Sequence, residues 1–221
     1  GLNVVLADGT TALMPNTQKN QAVFPQPSHQ KPGLGFPIVR LLALISLSTG
    51  TVIDYRLGPY QGKGTGESSL FSQVLNALLT GDLLLADRYY GTFAIMALLQ
   101  AKGIPVLVLL HANKQADFRQ GRKLGAKDHE VEWQKPKRKP VWLTDRAYAD
   151  LPEAITVREF SVNGVVYVTT LLAAKRFNKQ ELASLYKERW KIELDFRAIK
   201  THMGMERLHC KTPDMVQKEI A

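Results

Sequence analysis

Four residues near the end of the chain could do chemistry together: Tyr186, Arg189, Glu193 and Lys200. At about 100° per residue they fall within roughly 60° of one another on a helix. Leu185, Ile192, Phe196 and Ile199 form an adjoining apolar stripe that can pack on a core. The row beside that stripe holds a phenol, a guanidinium, a carboxylate and an amine. A carboxylate flanked by cations suits a metal ligand with phosphate-binding neighbours. A solvated, salt-bridged helix face is the simpler reading of the spacing alone.

Two aspartates stand where a sheet could present them to that helix. Residues 2–7 (Leu-Asn-Val-Val-Leu-Ala) read as a buried strand, and Asp8-Gly9 after them reads as the turn that ends it. Taken alone, Asp8 is simply that turn. Residues 83–86 are a continuous apolar run, as in a strand covered on both faces. Asp87 follows at its carboxyl end, where α/β sheets place their ligands; a helix N-cap is the alternative. Asp145 lies in a similar Asp-Arg context, but a basic loop flanks it and Leu151-Pro152 follows closely, so Asp87 is preferred.

The elements that must position these groups can be read in order. Residues 14–37 lose all periodicity and carry five prolines, so a long loop is expected. Residues 38–47 and 51–57 read as a hairpin. The glycine-rich stretch 58–66 has three residues, not four, before Gly62-Lys63 and then Gly64, so it fails as a nucleotide loop. A helix over 67–79, a helix over 92–102 and a strand over 104–110 follow, and the β-α-β order implies parallel strands. From 111 to 140 nine basic residues face four acidic ones, a run that could track a nucleic-acid backbone or be a solvated loop. Short strands are expected at 141–143, 155–160 and 165–172, with Asn163-Gly164 as a hairpin turn. Trp133 and Trp142 flank the basic run and could stack on a base or pack in a hairpin. The chain thus divides into 1–110, a β-rich basic insertion over 111–176, and 177–221.

Composition narrows the class. The 221 residues are 45% hydrophobic and 22% charged, which is globular, and no apolar run is long enough to span a bilayer. The net charge of +9 and pI near 9.6 favour a polyanionic partner. The lone Cys210 excludes an internal disulfide framework and fits a reducing, cytoplasmic compartment. Five scattered histidines and one cysteine show no zinc spacing. The chain opens inside a strand-like run and stops in a helix-like one, so a piece of a longer polypeptide is expected.

Strand with Asp8, hairpin, helix, strand with Asp87, helix, strand, β insertion, helix with Glu193: this is an α/β, ribonuclease-H-like layout, a mixed sheet flanked by helices. Three converging carboxylates repel unless cations neutralise them. Hard oxygen donors suit Mg²⁺ or Mn²⁺. Two such ions about 3.5–4 Å apart can activate a nucleophile and stabilise the leaving oxygen of a phosphodiester.

The spacing Tyr186-(2)-Arg189-(3)-Glu193-(6)-Lys200 resembles the signature of the DDE transposases of the insertion-sequence-four family. Asp8-Gly9-Thr10, Asp87-Arg88-Tyr89-Tyr90, Gly62-Lys63-Gly64-Thr65-Gly66-Glu67 and Cys210-Lys211-Thr212-Pro213 look similar to that family's segments too. The resemblance implies a cut-and-paste enzyme in which Asp8, Asp87 and Glu193 hold Mg²⁺ or Mn²⁺, as a pair of ions. It implies phosphate contacts from Tyr186, Arg189 and Lys200, with Arg88 as a further DNA-binding candidate. Such enzymes nick double-stranded DNA with water, use the freed 3′-hydroxyl to form a hairpin, and later join target DNA. They hold a flipped base at the insertion, which makes Trp133 or Trp142 a candidate, and work as homodimers in a synaptic complex on the bacterial nucleoid. A structure-specific nuclease with the same triad, or a non-catalytic DNA-binding remnant, are the competing readings.

Overall fold

The apolar runs that lack any polar alternation form the middle of one nine-stranded sheet. A computed structural model describes residues 1–31, 33–62, 64–202 and 204–221, with the side chains of residues 195, 198–200 and 202 outside that description. The strands are β1 (Asn3–Leu13), β2 (Ile38–Ser46), β3 (Val52–Pro59), β4 (Asp82–Ala86), β5 (Val106–Leu109), β6 (Arg122–Gly125), β7 (Asp128–Gln134), β8 (Ala154–Val162) and β9 (Val165–Thr169). Their order across the sheet is β3-β2-β1-β4-β5-β9-β8-β7-β6. β1, β4 and β5 run parallel; β2 joins β1 antiparallel, β3 joins β2 antiparallel, and β9 joins β5 antiparallel. This is the mixed sheet flanked by helices that the ribonuclease-H-like layout called for.

Helices cover both faces. On one face α2 (Glu67–Val74) and α3 (Phe93–Ala101) pack Leu70, Phe71, Ile95 and Met96 against Val5, Ala7, Leu84 and Val106. On the other, α5 (Lys179–Lys187) and α6 (Lys191–His202) pack Leu182, Tyr186, Ile192 and Phe196 against Leu6, Leu83, Leu85 and Leu107. Alternate residues of β4 enter the two clusters, which is why that strand reads as unbroken apolar sequence. The stripe expected from Ile192 and Phe196 is buried as foreseen; the Ile199 side chain lies outside the described residues.

Several elements differ from expectation. β1 does not stop at Asp8-Gly9 but runs on to Leu13, because β2 pairs with it over its whole length, from Val5↔Ser46 to Leu13↔Ile38. The long proline-rich loop contains α1 (Gln18–Val23), capped by Thr17. Residues 141–143 form a turn rather than a strand and lead into α4 (Asp145–Ala149), capped by Thr144. The strands β6 and β7 were not foreseen, since β7 opens Asp-His-Glu and looks like surface. Those three side chains are buried because each has a partner: Asp128 with Arg158, His129 with Glu159, Glu130 with Arg122. Asn163-Gly164 forms the expected hairpin turn, with φ of 51° and 80°. The chain closes with α7 (Pro213–Ile220).

Candidate active site

β1 and β4 pair in parallel up to Ala7↔Ala86, so Asp8, midway along β1, and Asp87, just past the end of β4, are the next residues on two neighbouring strands. Asp8 shares its strand face with Leu6, the face that α6 covers. Its Oδ1 accepts from the Gly9 N–H at 2.8 Å, which fixes the carboxylate's direction. Asp87 leads into a 3₁₀ turn at Arg88–Tyr90, yet its side chain caps nothing there. The turn and cap readings of the two aspartates therefore do not account for their carboxylates.

The segment carrying the third carboxylate is not one uniform helix. A 3₁₀ turn, Glu188–Trp190, separates α5 from α6. Tyr186, just before that turn, is buried, Arg189 within it is mostly buried, and Glu193 after it stays exposed. The Tyr186 hydroxyl donates to the Ala86 carbonyl at 3.1 Å, and its ring meets Tyr167 edge-on. Burial pushes this phenol up to about 12 although Arg189 opposes it. The expected phosphate contact thus has its hydroxyl occupied by the backbone next to Asp87.

Arg189 joins the carboxylates. One Nη lies 2.9 Å from Glu193 and the other 3.5 Å from Asp8. Burial disfavours its charge, but Tyr186, Glu193, Asp8 and Asp87 outweigh that and hold the guanidinium firmly protonated. Asp8 feels the opposite balance. Burial raises its carboxyl to about 6, with Glu67 and Asp87 adding to the rise and Gly9 and Arg189 only partly offsetting it. Asp8 and Glu193 line one open cavity of about 340 Å³ with Arg197, Thr201 and Glu206.

Among the described residues no group of three His, Cys, Asp or Glu side chains is gathered tightly enough to hold an ion. The donor set nevertheless fits a hard divalent cation: carboxylate oxygens only, one of them disfavoured as an anion by burial and by its acidic neighbours. Asp8, Asp87 and Glu193 could hold it where the Arg189 guanidinium now supplies that charge.

The remaining candidates scatter. The Lys200 side chain lies outside the described residues. Arg88 is half-buried beside Tyr186. Trp133 is 8% exposed; its Nε1 donates to Glu159 at 2.8 Å and the Lys114 ammonium covers its ring. Trp142 is half-buried and lines a separate cavity of about 420 Å³ with Tyr89, Val141 and the start of α2. In the basic run, Lys135 and Lys139 bond the carbonyls of Leu151 and Leu143, leaving Lys137 and Arg138 exposed. Asp145 faces solvent in an ion pair with Lys139, away from the site.

Sequence reasoning missed Glu67, the first residue of α2. Its carboxyl group rests against Gly9 from the other face of β1, and its charge acts on Asp8. The sequence signals are Gly9, a residue with no side chain beside a candidate ligand, and the place of Glu67 at the end of the glycine-rich segment that resembles the family's.

Comparison with known proteins adds two findings. A family model described as "Transposase DDE domain" matches residues 1–221. The transposase InsG for insertion sequence element IS4 of Escherichia coli (strain K12) is 27% identical over 227 residues, which cover 100% of this chain and 49% of the relative. The chain spans about half the length of that curated relative.

Proposed function

The chain belongs to the DDE transposases, in the insertion-sequence-four family, and from that footing we propose that it is the catalytic core of a metal-dependent, cut-and-paste DNA transposase. The observation that carries the reading is the register of β1 and β4, which sets Asp8 beside Asp87 while Arg189 ties Asp8 to Glu193. In this reading Asp8, Asp87 and Glu193 hold Mg²⁺ or Mn²⁺, as a pair of ions. When bound, the ions would supply the Lewis acidity that makes water nucleophilic and stabilises the leaving oxygen of a phosphodiester.

The chain's own groups then have separate tasks. The Gly9 N–H keeps the Asp8 carboxylate aimed at the cavity. Tyr186 pins the end of β4 and so keeps Asp87 in place. Arg189 holds the carboxylates together without a metal; once the ions take over that charge, its guanidinium is free to meet a DNA phosphate. Lys200 and Arg88 are the further phosphate contacts of the proposal. The longer protein would nick the transposon end with water, attack the opposite strand with the freed 3′-hydroxyl to form a hairpin, and join target DNA as a homodimer. No described helix is long and apolar enough to cross a membrane.

The test uses the full-length transposase with its element's end DNA and Mg²⁺. Metal-dependent nicking, hairpin formation and joining of a pre-cut end are expected, with Glu193→Gln inactive. Nicking without joining would return the nuclease reading, and binding without any cleavage the remnant reading.

The base-holding role falls to Trp142 rather than Trp133 in this proposal, since Trp142 has an open side and Trp133 does not. Trp142→Ala should weaken binding of end DNA by about 1–3 kcal/mol, the value of one stacked base. The check is fluorescence anisotropy with labelled duplex, and an unchanged affinity would remove Trp142 from the interface.

A further inference from the structure

Glu67 reaches the site from the side opposite Glu193. Gly9 shares the β1 face of Val5 and Ala7, against which α2 packs. A Cβ on Gly9 would stand 2.8 Å from the Glu67 Cδ and 2.9 Å from its Oε1, so the carboxyl group sits in the notch that a missing side chain leaves. Arg40 secures it there, with Nη1 at 3.0 Å from Oε1. The Gly9 N–H in turn holds Asp8. Glu67, Gly9 and Asp8 therefore form a contact chain through the strand.

A second observation comes from unpaired polar atoms. Among the described residues three buried side-chain polar atoms have no hydrogen-bond partner: Asn20 Oδ1, Arg40 Nε and Tyr90 Oη. One of the three belongs to Arg40, which bonds Glu67, and another to Tyr90, whose phenol feels the charge of Glu67 more than any other. Tyr90 is 1% exposed. Burial first, then the charges of Glu67, Asp8 and Asp87 in that order, keep its phenol neutral. Buried donors without acceptors are rare in proteins, and each calls for a physical explanation, a catalytic role or a bound ion among them.

We propose that Glu67, seated in the Gly9 notch and held by Arg40, is a positioning residue for the carboxylate centre, adding negative charge behind Asp8 that favours a divalent cation. The inference rests on the transposase reading of Asp8, Asp87 and Glu193. Arg40 tempers the effect by neutralising part of the Glu67 charge. Gly9 is required because any side chain there would displace the Glu67 carboxyl group, whose flexible end can move away.

The test is calorimetric titration of Mn²⁺ into the metal-free protein and its variants, with thermal melts to establish folding. Glu67→Gln should weaken Mn²⁺ binding about tenfold, the usual effect of losing a group that supports a metal ligand. Gly9→Ala should weaken it in the same direction without removing any charge. Arg40→Gln should strengthen it, because Glu67 is then uncompensated. A purely structural ion pair would make Glu67→Gln and Arg40→Gln shift affinity the same way, and that result overturns the proposal. Asp8→Asn separates the two levels. Wild-type affinity in Asp8→Asn removes the metal-centre reading and this inference with it, whereas lost affinity there and wild-type affinity in Glu67→Gln overturns this inference alone.

Discussion

Asp8→Asn should make the metal-free chain more stable above pH 6 while abolishing its response to divalent cations. The Asp8 carboxyl is raised from 3.8 to about 6, chiefly by burial. Between those values the folded chain keeps a proton that the unfolded chain has released. Stability is thus greatest in acid for this group and is lost as pH rises from about 4 to about 6. Converted at 1.36 kcal/mol per unit, the loss is roughly 3 kcal/mol, an order-of-magnitude figure for a side chain only 19% exposed. Asparagine keeps the oxygen that accepts from Gly9 and carries no charge to desolvate. Urea denaturation at pH 7.5 should therefore show a higher midpoint for Asp8→Asn, and near equality at pH 4. Adding Mn²⁺ should raise the midpoint of the unsubstituted protein only. Equal midpoints at both pH values would remove Asp8 as a strained carboxylate. Such a gain in stability at the expense of activity is a known mark of functional residues.

Arg158→Met should cost about 3–5 kcal/mol, the largest loss expected of any single change described for this chain. Arg158 lies across β8 and β7 with Nε at 2.8 Å and Nη2 at 2.7 Å from the two Asp128 oxygens. Both side chains are buried, so removing the guanidinium leaves an uncompensated carboxylate in the interior. Its remaining Nη1 donates to the Phe177 carbonyl just before α5, so the same residue anchors the helix that leads to Arg189 and Glu193. Adding Asp128→Leu to Arg158→Met should recover most of the loss, because a matched apolar pair avoids desolvating two charges. Guanidinium denaturation of the two single variants and the double checks this. Additive losses in the double variant would show that the pair contributes more than its mutual neutralisation.

What the sequence disclosed follows physical lines. The position of Asp87 was legible because a short apolar run ended at it, and a run of that length after a turn reads as a strand covered on both faces. The extension of β1 past Asp8 was not, since Asp-Gly favours a turn locally and only the distant strand β2 overrules it. β7 was hidden by its polar opening residues, of which Asp128 and His129 are satisfied by residues about thirty positions away on β8. The 3₁₀ turn at Glu188–Trp190 lies in good helix-forming sequence, so nothing local announces that Tyr186 will be buried against the end of β4. Glu67 could not be found without the fold, because its importance depends on which strand residue lacks a side chain.

The pairing of β9 with β5 has a consequence of scale. With β6–β9 hydrogen-bonded onto the central strands, the nine strands at about 4.8 Å each form a continuous platform roughly 40 Å wide. Asp8 and Asp87 belong to the third and fourth of those strands, so the carboxylates are set in a sheet whose hydrogen bonding runs unbroken from the central strands into β6–β9.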